Sequence, residues 1–403
     1  MRRSSLVKTK LSASAAAVAL VIATAGPAYG GDEPAPGEAQ LHQFAKLPAQ
    51  TFVPGSEPSG SRLGTAPING ITPPFANQPV QGFSGVLRNA DGSFEMLSDN
   101  GYGNKANSAD FILRIQRVKP NFHTGAVDVV GGINLTDPNN HVPFPLTRPD
   151  RVLSGFDFDP ESIVRLPDGT YWIGDEFGPF LLHFDCAGRL LSPPVSLPGV
   201  FSPENPFRGT TPANLGGSKG FESIAISPDR RTLYPLLEGV VAGDPAGSLR
   251  LNEFSVQSGA YTGRTWRYQL ENPAYAVADA VMVNQRQILV IERDNNQGDA
   301  ALFKKIYLAD LRDRDGNGAM DKTEVADLLN LANPRGVGGF GDPFRFPFFT
   351  IESLLILDNR TLLIANDNNF PLSAGRTPGK PDDNEMIAVR LGTTLDVDHR
   401  VLH

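Results

Sequence analysis

A twelve-residue segment in the second half of the chain has the residue types and spacing of a calcium-binding loop. Asp313, Asp315 and Asn317 place a side-chain oxygen at every second position, Gly318 permits a sharp turn, and the carboxylate of Glu324 closes the segment. In calcium loops of this pattern, positions 1, 3 and 5 face one cation, position 9 holds a ligating water, and the final glutamate binds with both oxygens. The sequence therefore predicts a Ca²⁺ site with the ligands Asp313, Asp315, Asn317, Asp321 and Glu324.

The segments on either side of this loop decide what kind of calcium site it is. Residues 304–308 before the loop have the composition of a strand, and residues 325–331 after it are predicted to form a short helical run. A sensor of the EF-hand type would have a helix on both sides of the loop. We therefore predict an isolated, structural, EF-hand-like calcium loop. The alternative is a polar turn that binds no metal.

Other acidic residues recur at one place in a repeated strand–turn–strand unit. Glu161, Glu222 and Glu352 occupy the same position in three units, and Asp279 lies near that position in a fourth. A second acidic set follows about fifteen residues further along each unit: Asp99, Asp175, Glu176, Glu238, Glu292, Asp294 and Asp367. Carboxylates that are brought together repel each other unless a cation binds or some of them are protonated. The repeat therefore indicates a shared cation, which we expect to be Ca²⁺.

The elements that carry these acids are predicted to be short strands. Runs of β-branched and aromatic residues alternate with Gly, Pro, Asp and Asn, as at residues 167–169, and long helical periodicity is almost absent. Five such units begin 57 to 77 residues apart. Repetition of this kind is typical of an all-β β-propeller. We predict a six-bladed ring, in which an N-terminal strand pairs with residues 386–390 to close the sixth blade. A β-sandwich is the alternative.

In a propeller, the innermost strand of each blade lines the central channel, so the repeated glutamates should converge on the axis. The predicted catalytic residues are therefore Glu161, Glu176, Glu222, Glu352 and Arg293. Lys219 and Arg345, which precede two of the glutamates, are the predicted substrate-binding residues. A metal beside such cations would polarise a phosphoryl group and activate water, while Arg and Lys neutralise charge in the transition state. The alternative is that these acids and bases form salt bridges between blades.

A G-x-S-x-G motif at residues 216–220 raises the possibility of a serine nucleophile at Ser218. A nucleophile elbow requires a strand before the serine and a helix after it. Here a loop rich in Pro and Thr precedes the motif, and a predicted strand, 221–227, follows it. We therefore do not assign Ser218 as the nucleophile.

The N-terminus has the layout of a secretory signal peptide. Four basic residues precede an apolar, alanine-rich run at residues 11–25, and small residues that suit cleavage follow, ending near Gly30. A membrane anchor is the alternative, but about fifteen apolar residues fall short of the roughly twenty that span a bilayer. We predict a signal peptide over residues 1–30, a flexible linker over 31–60, and the propeller over 61–403. The mature protein is expected to be secreted, extracellular and without a membrane span.

Composition limits the partners of the mature protein. The formal charge of the whole chain is −8, and loss of the four basic residues of the signal peptide lowers it to −12. Such a surface repels nucleic acid and suits a protein that holds hard cations on carboxylates. Cys186 is the only cysteine, so no disulfide can form within the chain. We expect a monomer that acts on a small-molecule ester and binds no nucleic acid.

Three segments resemble one known family: residues 155–163 (GFDFDPESI), 171–179 (YWIGDEFGP) and 220–229 (GFESIAISPD). They are similar to the phytase-like family of secreted bacterial proteins, which is described as having the esterase-like activity of phytase, and the similarity extends over roughly residues 75–395. The resemblance implies a β-propeller, export, and hydrolysis of esters or phosphoesters. It supports Glu161, Asp175, Glu176 and Glu222 as residues of the family's motifs.

We therefore expect a secreted, calcium-dependent phosphoesterase, a phytase-like hydrolase that acts on extracellular organic phosphate esters. A calcium-dependent lactonase or carboxylesterase is the first alternative, in which one cation on the channel glutamates polarises a carbonyl group. A non-catalytic binding module, stabilised by calcium at the cell surface, is the second. The residues alone leave these alternatives open, because one fold can carry many functions.

Overall fold

The computed structural model describes residue 34 and residues 37–402, and the predicted signal peptide lies outside them. Within these residues the chain forms twenty β-strands and three short 3₁₀ helices, Gly298–Ala300, Val337–Gly339 and His399–Leu402. No helix in this part of the chain has the length and apolar character needed to cross a bilayer. The all-β class predicted from the sequence is confirmed.

The strands form five antiparallel blades of four strands each, and their order within each blade is given from the inside outwards. Blade 1 contains β2 (Gly85–Arg88), β3 (Phe94–Leu97), β4 (Arg114–Asn121) and β5 (Ala126–Asn134). Blade 2 contains β6 (Pro160–Arg165), β7 (Tyr171–Asp175), β8 (Phe180–Phe184) and β9 (Val195–Ser196). Blade 3 contains β10 (Phe221–Ile226), β11 (Thr232–Leu237), β12 (Ser248–Ser255) and β13 (Ala260–Gln269). Blade 4 contains β14 (Ala276–Met282), β15 (Gln287–Arg293), β16 (Lys304–Asp310) and β17 (Asp321–Asp327). Blade 5 contains β18 (Thr350–Ile356), β19 (Thr361–Asp367), β20 (Asn384–Arg390) and β1 (Gln40–Leu47).

The innermost strands close a ring of five blades, not six. Strands β2, β6, β10, β14 and β18 contact one another in this order, and β18 contacts β2. The N-terminal strand β1 does pair with β20, as predicted, but it forms the outermost strand of blade 5. The prediction of a sixth blade was wrong. The pair of β20 and β1, from opposite ends of the chain, adds to β18 and β19 and completes blade 5.

Part of the predicted flexible linker is also a strand. Residues 40–47, which lie within the predicted linker over 31–60, form β1 and pair with β20 over most of their length. Leu41 and Ala45 are completely buried in the blade. The strand mixes apolar with polar residues, and the Pro- and Gly-containing sequence on both sides of it concealed it. A single parallel pair, Lys46 with Ala126, also connects β1 to blade 1.

The segments around the predicted calcium loop are strands on both sides. The predicted strand at residues 304–308 is confirmed by β16, but the predicted helical run at 325–331 begins as strand β17 and continues as a turn. Antiparallel pairing of β16 with β17, which sets Glu324 opposite Tyr307, overrides the local helical preference. The loop therefore connects two outer strands of blade 4.

β-bulges aim the repeated glutamates away from the blades. In blades 2, 3 and 5, the pairing of the innermost strand shifts by one residue at Glu161, Glu222 and Glu352, respectively. A bulge leaves one residue out of the hydrogen-bonded ladder and redirects its side chain. These bulges lie at the beginning of each innermost strand, so the three carboxylates point towards the same end of the axis.

In two blades, the serine that follows the bulged glutamate forms a hydrogen bond towards the adjacent blade. The Ser223 hydroxyl accepts a hydrogen bond from the backbone N–H of Ala280 in blade 4 (2.8 Å). The Ser353 hydroxyl donates to the carbonyl oxygen of Phe83, next to blade 1 (2.7 Å). The Glu-Ser repeat in the sequence therefore combines a residue that faces the axis with a residue that joins neighbouring blades.

Apolar side chains fill the spaces between the blades. Between blades 2 and 3, for example, Trp172 and Leu181 share a buried cluster with Ile224, Leu233 and Phe254. Removal of this apolar surface from water is the main favourable contribution to folding. Packing between blades therefore fixes the inner strands, and with them the side chains that face the axis.

Candidate functional site

Side chains from all five blades meet at a cavity of about 150 Å³ near the axis. The cavity is lined by eight carboxylates and only two basic side chains, together with four small or neutral residues. The carboxylates are Asp99, Asp159, Glu161, Glu176, Glu222, Glu238, Glu352 and Asp367; the basic residues are Lys219 and Arg293; the others are Asn100, Gly103, Ser218 and Asn369. We call this the axial cavity.

Two positions of the blade repeat supply most of the carboxylates. Glu161, Glu222 and Glu352 come from the bulges at the beginning of the innermost strands. Asp99, Glu176, Glu238 and Asp367 lie at or just after the end of the second strand of their blades. Because these two strands are antiparallel, the beginning of one lies beside the end of the other. Both acidic sets therefore meet at the same end of the propeller.

A close approach of backbones brings blades 2 and 3 together at the cavity. A Cβ atom on Gly220 would lie only 2.4 Å from the carbonyl oxygen of Glu176. Only glycine leaves room for this approach. It sets Glu176 of blade 2 beside Glu222 of blade 3, which explains why a glycine stands at position 220.

Blade 4 departs from this acidic pattern. The carboxylate of Asp279 accepts hydrogen bonds from the backbone N–H groups of Leu354 and Ala280 (both 2.8 Å), so it joins blades 4 and 5. Glu292 accepts from the Tyr268 hydroxyl (3.0 Å) and from Lys322 (2.7 Å), away from the axis. Blade 4 instead contributes the guanidinium group of Arg293 to the cavity.

Arg293 bridges carboxylates from two other blades. Its Nη2 atom lies 3.3 Å from Oε1 of Glu238, 3.7 Å from Oε1 of Glu222 and 3.8 Å from Oε1 of Glu352. Its Nη1 atom donates to Oδ1 of Asn295 (2.7 Å). Lys219 forms a close ion pair with Glu238 from the more exposed edge of the cavity. Both basic residues are therefore already paired with carboxylates of blades 3 and 5.

Neutral side chains hold Asp159 on the opposite side of the cavity. Its Oδ1 atom accepts hydrogen bonds from the backbone and side-chain nitrogens of Asn100 (3.2 and 2.7 Å). Its Oδ2 atom accepts from the hydroxyl of Ser218 (2.7 Å), a residue in the left-handed region with φ of 45°. Asp175 lies behind, where its carboxylate accepts from the backbone N–H groups of Asp159 (2.8 Å) and Gly178 (2.7 Å). Asp159 is thus oriented without a cation.

Several polar atoms in the cavity have no hydrogen-bond partner among the described residues. They are Oε1 of Glu176, Oε1 of Glu222 and Nε of Arg293, and all three residues are at least 95% buried. A buried polar atom without a partner costs free energy comparable to a lost hydrogen bond, and more when the group is charged. The unpartnered carboxylate oxygens of the cavity are therefore available to bind a ligand such as a cation.

Burial and mutual repulsion raise the pKa values of these carboxyls. Burial raises the pKa of Glu161 well above its usual value, and the nearby carboxylates, Glu352 first among them, raise it further. Burial, followed by repulsion from Asp367, raises the pKa of Glu352 to about 8. Burial also raises the pKa of Asp367 to about 6. Without a cation, the cluster therefore takes up protons near neutral pH.

Two overlapping groups of three carboxylates have the spacing that one metal ion needs. One oxygen from each of Asp159, Glu161 and Glu176 lies within 4.8 Å of the others, and the same is true of Glu176, Glu222 and Glu238. Ca²⁺ takes six to eight oxygen ligands at about 2.3–2.6 Å, so oxygens around one ion are a few ångströms apart. Carboxylates, a serine hydroxyl and an amide are suitable donors for such a hard cation.

The loop at residues 313–324 contains a third acidic group, but not all the predicted ligands belong to it. Oxygens of Asp313, Asp315 and Asp321 lie within 4.8 Å of one another. The predicted closing ligand, Glu324, lies outside this group because it sits in β17 and pairs with Lys305 (2.6 Å). Asn317 donates to Asp315 (3.0 Å) and accepts from the backbone of Ala319 (2.8 Å).

The structure brings most of the predicted site residues together. Glu161, Glu176, Glu222, Glu352, Arg293 and Lys219 all line the axial cavity. Arg345 does not, since it is exposed and donates to the carbonyl oxygen of Ala301 (3.0 Å). Three further residues of the cavity were not predicted from the sequence: Asp159, Asn100 and Asn369. The available signals for Asp159 were its position two residues before a repeated glutamate and its place in the family-like segment 155–163.

The comparison with protein families identifies the chain. Residues 78–370 match the family described as phytase-like, with the esterase-like activity of phytase. The chain belongs to the phytase-like family. The match covers the axial carboxylates of all the contributing blades, from Asp99 to Asp367.

Individual relatives are distant. An uncharacterized secreted protein of Arthroderma benhamiae is 25% identical over 225 residues, which are 45% of this chain and 42% of that protein. The chain thus spans less than half the length of this curated relative. Among solved structures, an exo-β-1,3-galactanase of Phanerochaete chrysosporium has a TM-score of 0.42 and 9% identity, covering 80% of this chain and 64% of that one. The PQQ-bound aldose sugar dehydrogenase of Streptomyces coelicolor has a TM-score of 0.37 and 10% identity, covering 89% of this chain and all of that one.

Proposed function

We propose that the protein is a secreted hydrolase of phosphate esters that depends on Ca²⁺ bound in the axial cavity. The observation that carries this proposal is the cavity itself: eight carboxylates, two of them with unpartnered buried oxygens, surround a small space in a member of the phytase-like family. A protein would not concentrate so much negative charge for stability, because burial of each unpaired carboxylate is costly. A bound cation offsets that cost.

Different cavity residues have different roles in this proposal. The carboxylates hold the cation, and Asn100 and Ser218 orient Asp159 through their hydrogen bonds. When bound, a divalent cation would polarise the ester oxygen and lower the pKa of a water molecule. To Arg293, which lines the cavity from blade 4, we assign the stabilisation of negative charge that develops in the transition state.

Glu352 is the proposed proton-transfer residue. It lines the cavity but belongs to neither group of three metal-binding carboxylates. The Ser84 hydroxyl donates to its Oε2 atom (2.9 Å), which fixes the orientation of the carboxyl. Burial raises its pKa to about 8. A general acid or base works best when its pKa lies near the operating pH, so Glu352 is suited to proton transfer at about pH 8. Glu352 therefore exchanges a proton with the attacking water or the leaving group.

An anionic substrate also needs positive charge where it enters the cavity, and we propose that Lys105 supplies it. Lys105 follows Asn100 and Gly103, which line the cavity, and its ammonium group lies over the rings of Phe156 (4.9 Å) and Phe177 (5.0 Å). It lies within ion-pair distance of no carboxylate in the described part of the chain. Lys219, in contrast, is neutralised by Glu238. We therefore assign recognition of the substrate phosphate to Lys105.

Calcium in the 313–321 loop and export by a signal peptide over residues 1–30 are further parts of the proposal. The loop is supported by the spacing of Asp313, Asp315 and Asp321, with Asn317 between them. Export is supported by the sequence of the N-terminus and by the description of the Arthroderma benhamiae relative as secreted. Sequencing of the N-terminus of the extracellular protein tests export, and we expect it to begin near Gly31.

An activity panel tests the function directly. Purified protein is assayed on phosphomonoesters, phytate, lactones and p-nitrophenyl carboxylic esters, after chelation and after addition of Ca²⁺. The proposal predicts phosphomonoester hydrolysis that chelation abolishes and Ca²⁺ restores. Hydrolysis of lactones or carboxylic esters alone would favour a lactonase or carboxylesterase. Absence of turnover on every substrate would leave a calcium-stabilised binding module.

A further inference from the structure

The two groups of three carboxylates in the axial cavity differ in how their charge is compensated. Glu222 and Glu238 have Arg293 within 3.7 and 3.3 Å, and Glu238 also pairs with Lys219. Asp159 and Glu161, in contrast, have no basic side chain within ion-pair distance among the described residues. Glu176 belongs to both groups. The cavity is therefore divided into a compensated half at blade 3 and an uncompensated half at blade 2.

We infer that the axial cavity binds one divalent cation, held by Asp159, Glu161 and Glu176, and that Arg293 occupies the position at which a second cation would otherwise bind. This inference rests on the proposed function only in taking the cavity as a cation site. It adds which carboxylates bind the ion, how many ions bind, and why Arg293 replaces an acid in blade 4.

An unpartnered oxygen provides independent support for a ligand at blade 2. Oε1 of Glu176 has no hydrogen-bond partner among the described residues, although the residue is 95% buried. Asp159 is held by Ser218 and Asn100, which are neutral donors and leave its negative charge in place. A divalent cation at this position would bind the free oxygen and offset two of the three negative charges of this group.

The guanidinium group of Arg293 excludes a second cation by charge and by position. Its Nη2 atom lies between carboxylate oxygens of Glu222, Glu238 and Glu352 at 3.3–3.8 Å. A divalent cation would have to displace this buried group, which pairs with no further carboxylate in the described part of the chain, or bind beside it against Coulomb repulsion. Arginine remains charged at every physiological pH, so this exclusion does not depend on protonation.

Calcium stoichiometry tests the inference without any need for turnover. The background protein carries Asp313→Asn and Asp315→Asn, so that the loop binds no calcium, and bound Ca²⁺ is measured by equilibrium dialysis and atomic emission. We expect one ion per chain. Arg293→Gln in this background should bind a second ion, because Glu222, Glu238 and Glu352 lose their compensating charge. The matched variant Arg293→Lys keeps the charge and should bind one ion.

The carboxylate variants locate the ion. Glu161→Gln should weaken binding of the axial ion by at least about tenfold, as expected when a metal ligand loses its charge. Glu222→Gln, a matched change at the same repeat position in the next blade, should change the affinity by no more than about threefold. Equal weakening by the two changes would overturn the assignment, and so would two ions in the background protein.

A second variant guards against misfolding of Arg293→Gln. Lys219 is about half exposed, so Lys219→Gln removes positive charge from the same half with less risk to folding. Because Arg293 still occupies the position of a second cation in this variant, it should bind one ion. Two ions in Lys219→Gln, or one ion in folded Arg293→Gln, would overturn the inference. If calcium binds as predicted but no ester is hydrolysed, the proposed function fails while the ion assignment stands.

Discussion

Two acidic regions of this protein can hold a cation, and they satisfy their negative charge in different ways. In the loop, Asp313 accepts hydrogen bonds from the backbone N–H groups of Gly316 (2.7 Å), Asn317 (3.0 Å) and Gly318 (2.9 Å), and both Asp313 and Asp315 are exposed. In the axial cavity, eight carboxylates are buried around a small space and some of their oxygens have no partner.

The two regions therefore differ in their need for a cation. Backbone amides and water stabilise the carboxylates of the loop, so the loop can persist without metal. The cavity lacks these alternatives, and its carboxyls must take up protons when no cation is present. We therefore expect the axial cavity to govern activity and the response to pH, and the loop to contribute only to stability.

The largest effect should follow removal of one charge from the axial cavity. Glu161→Gln keeps the size of the side chain but removes a charged metal ligand, and turnover in Ca²⁺ should fall about a hundredfold or more. Glu253→Gln on an outer strand of blade 3, where the glutamate pairs with Arg264, is the control and should keep wild-type turnover. Steady-state kinetics and a thermal melt of each variant make the comparison. Wild-type activity per folded molecule in Glu161→Gln would show that the cavity is not the catalytic centre.

The next effect is on stability as a function of pH. Burial raises the folded-state pKa values of Glu352 and Asp175 to about 8 and that of Asp279 to about 7, above their values of about 4 in the unfolded chain. At pH values between the unfolded and the folded pKa, the folded state binds more protons than the unfolded state. The free energy of unfolding therefore decreases as the pH rises through the folded pKa values.

Chelated protein should therefore melt at least about 5 °C higher at about pH 5 than at about pH 8. Saturating Ca²⁺ should raise the melting temperature mainly at about pH 8, because there the cation binds carboxylates that would otherwise repel one another. Thermal melts at both pH values, with and without Ca²⁺, make this measurement. A melting temperature that rises with pH in chelator would contradict the account of the cavity.

Loss of the loop site should have a smaller effect, confined to stability. Asp313→Asn should lower the melting temperature in Ca²⁺ by a few degrees, since a ligand at a hundred times its Kd stabilises the folded state by about 2.7 kcal/mol. The same change should have little effect in chelator, and Glu324→Gln should have little effect in either buffer because Glu324 pairs with Lys305. Equal destabilisation by Asp313→Asn in calcium and in chelator would show that the loop binds no metal.

The smallest effect concerns substrate recognition at the entrance to the cavity. Lys105→Gln should raise KM for a phosphomonoester about five- to tenfold, in keeping with loss of one charge-assisted contact, and should change kcat little. Lys119→Gln on the exposed face of β4 is the matched control and should have wild-type constants. Unchanged KM in Lys105→Gln would exclude this lysine from binding of the phosphate.

The sequence predicted the repeat better than it predicted the closure of the ring. The repeat of Glu161, Glu222 and Glu352 could be recognised in the sequence. In the structure it corresponds to one bulge that recurs at the beginning of three innermost strands. The number of blades was not, because β1 and β20 come from opposite ends of the chain and their sharing of blade 5 is a property of tertiary pairing. The helical run after the loop was mispredicted for the same reason, since strand pairing overrode local preference.

The candidate site shows the same limit at the level of single residues. Asp279 and Glu292 have the repeat positions of cavity acids, yet hydrogen bonds direct both away from the axis. Arg345 precedes a repeated glutamate in sequence but points elsewhere. Asp159 lines the cavity from a loop, and Lys105 also lies on a loop, where no periodicity indicates the direction of a side chain. Spacing could therefore find residues on strands but not those on loops.

The most direct test of the account is the calcium dependence of phosphomonoester hydrolysis in protein that lacks the loop site. Turnover of the Asp313→Asn, Asp315→Asn variant is measured against free Ca²⁺ after chelation, beside the wild-type protein. If the axial cavity is the cation-dependent centre, the variant will remain inactive in chelator and will regain wild-type turnover as Ca²⁺ saturates. Full turnover in chelator, or loss of the calcium dependence together with the loop, would contradict it.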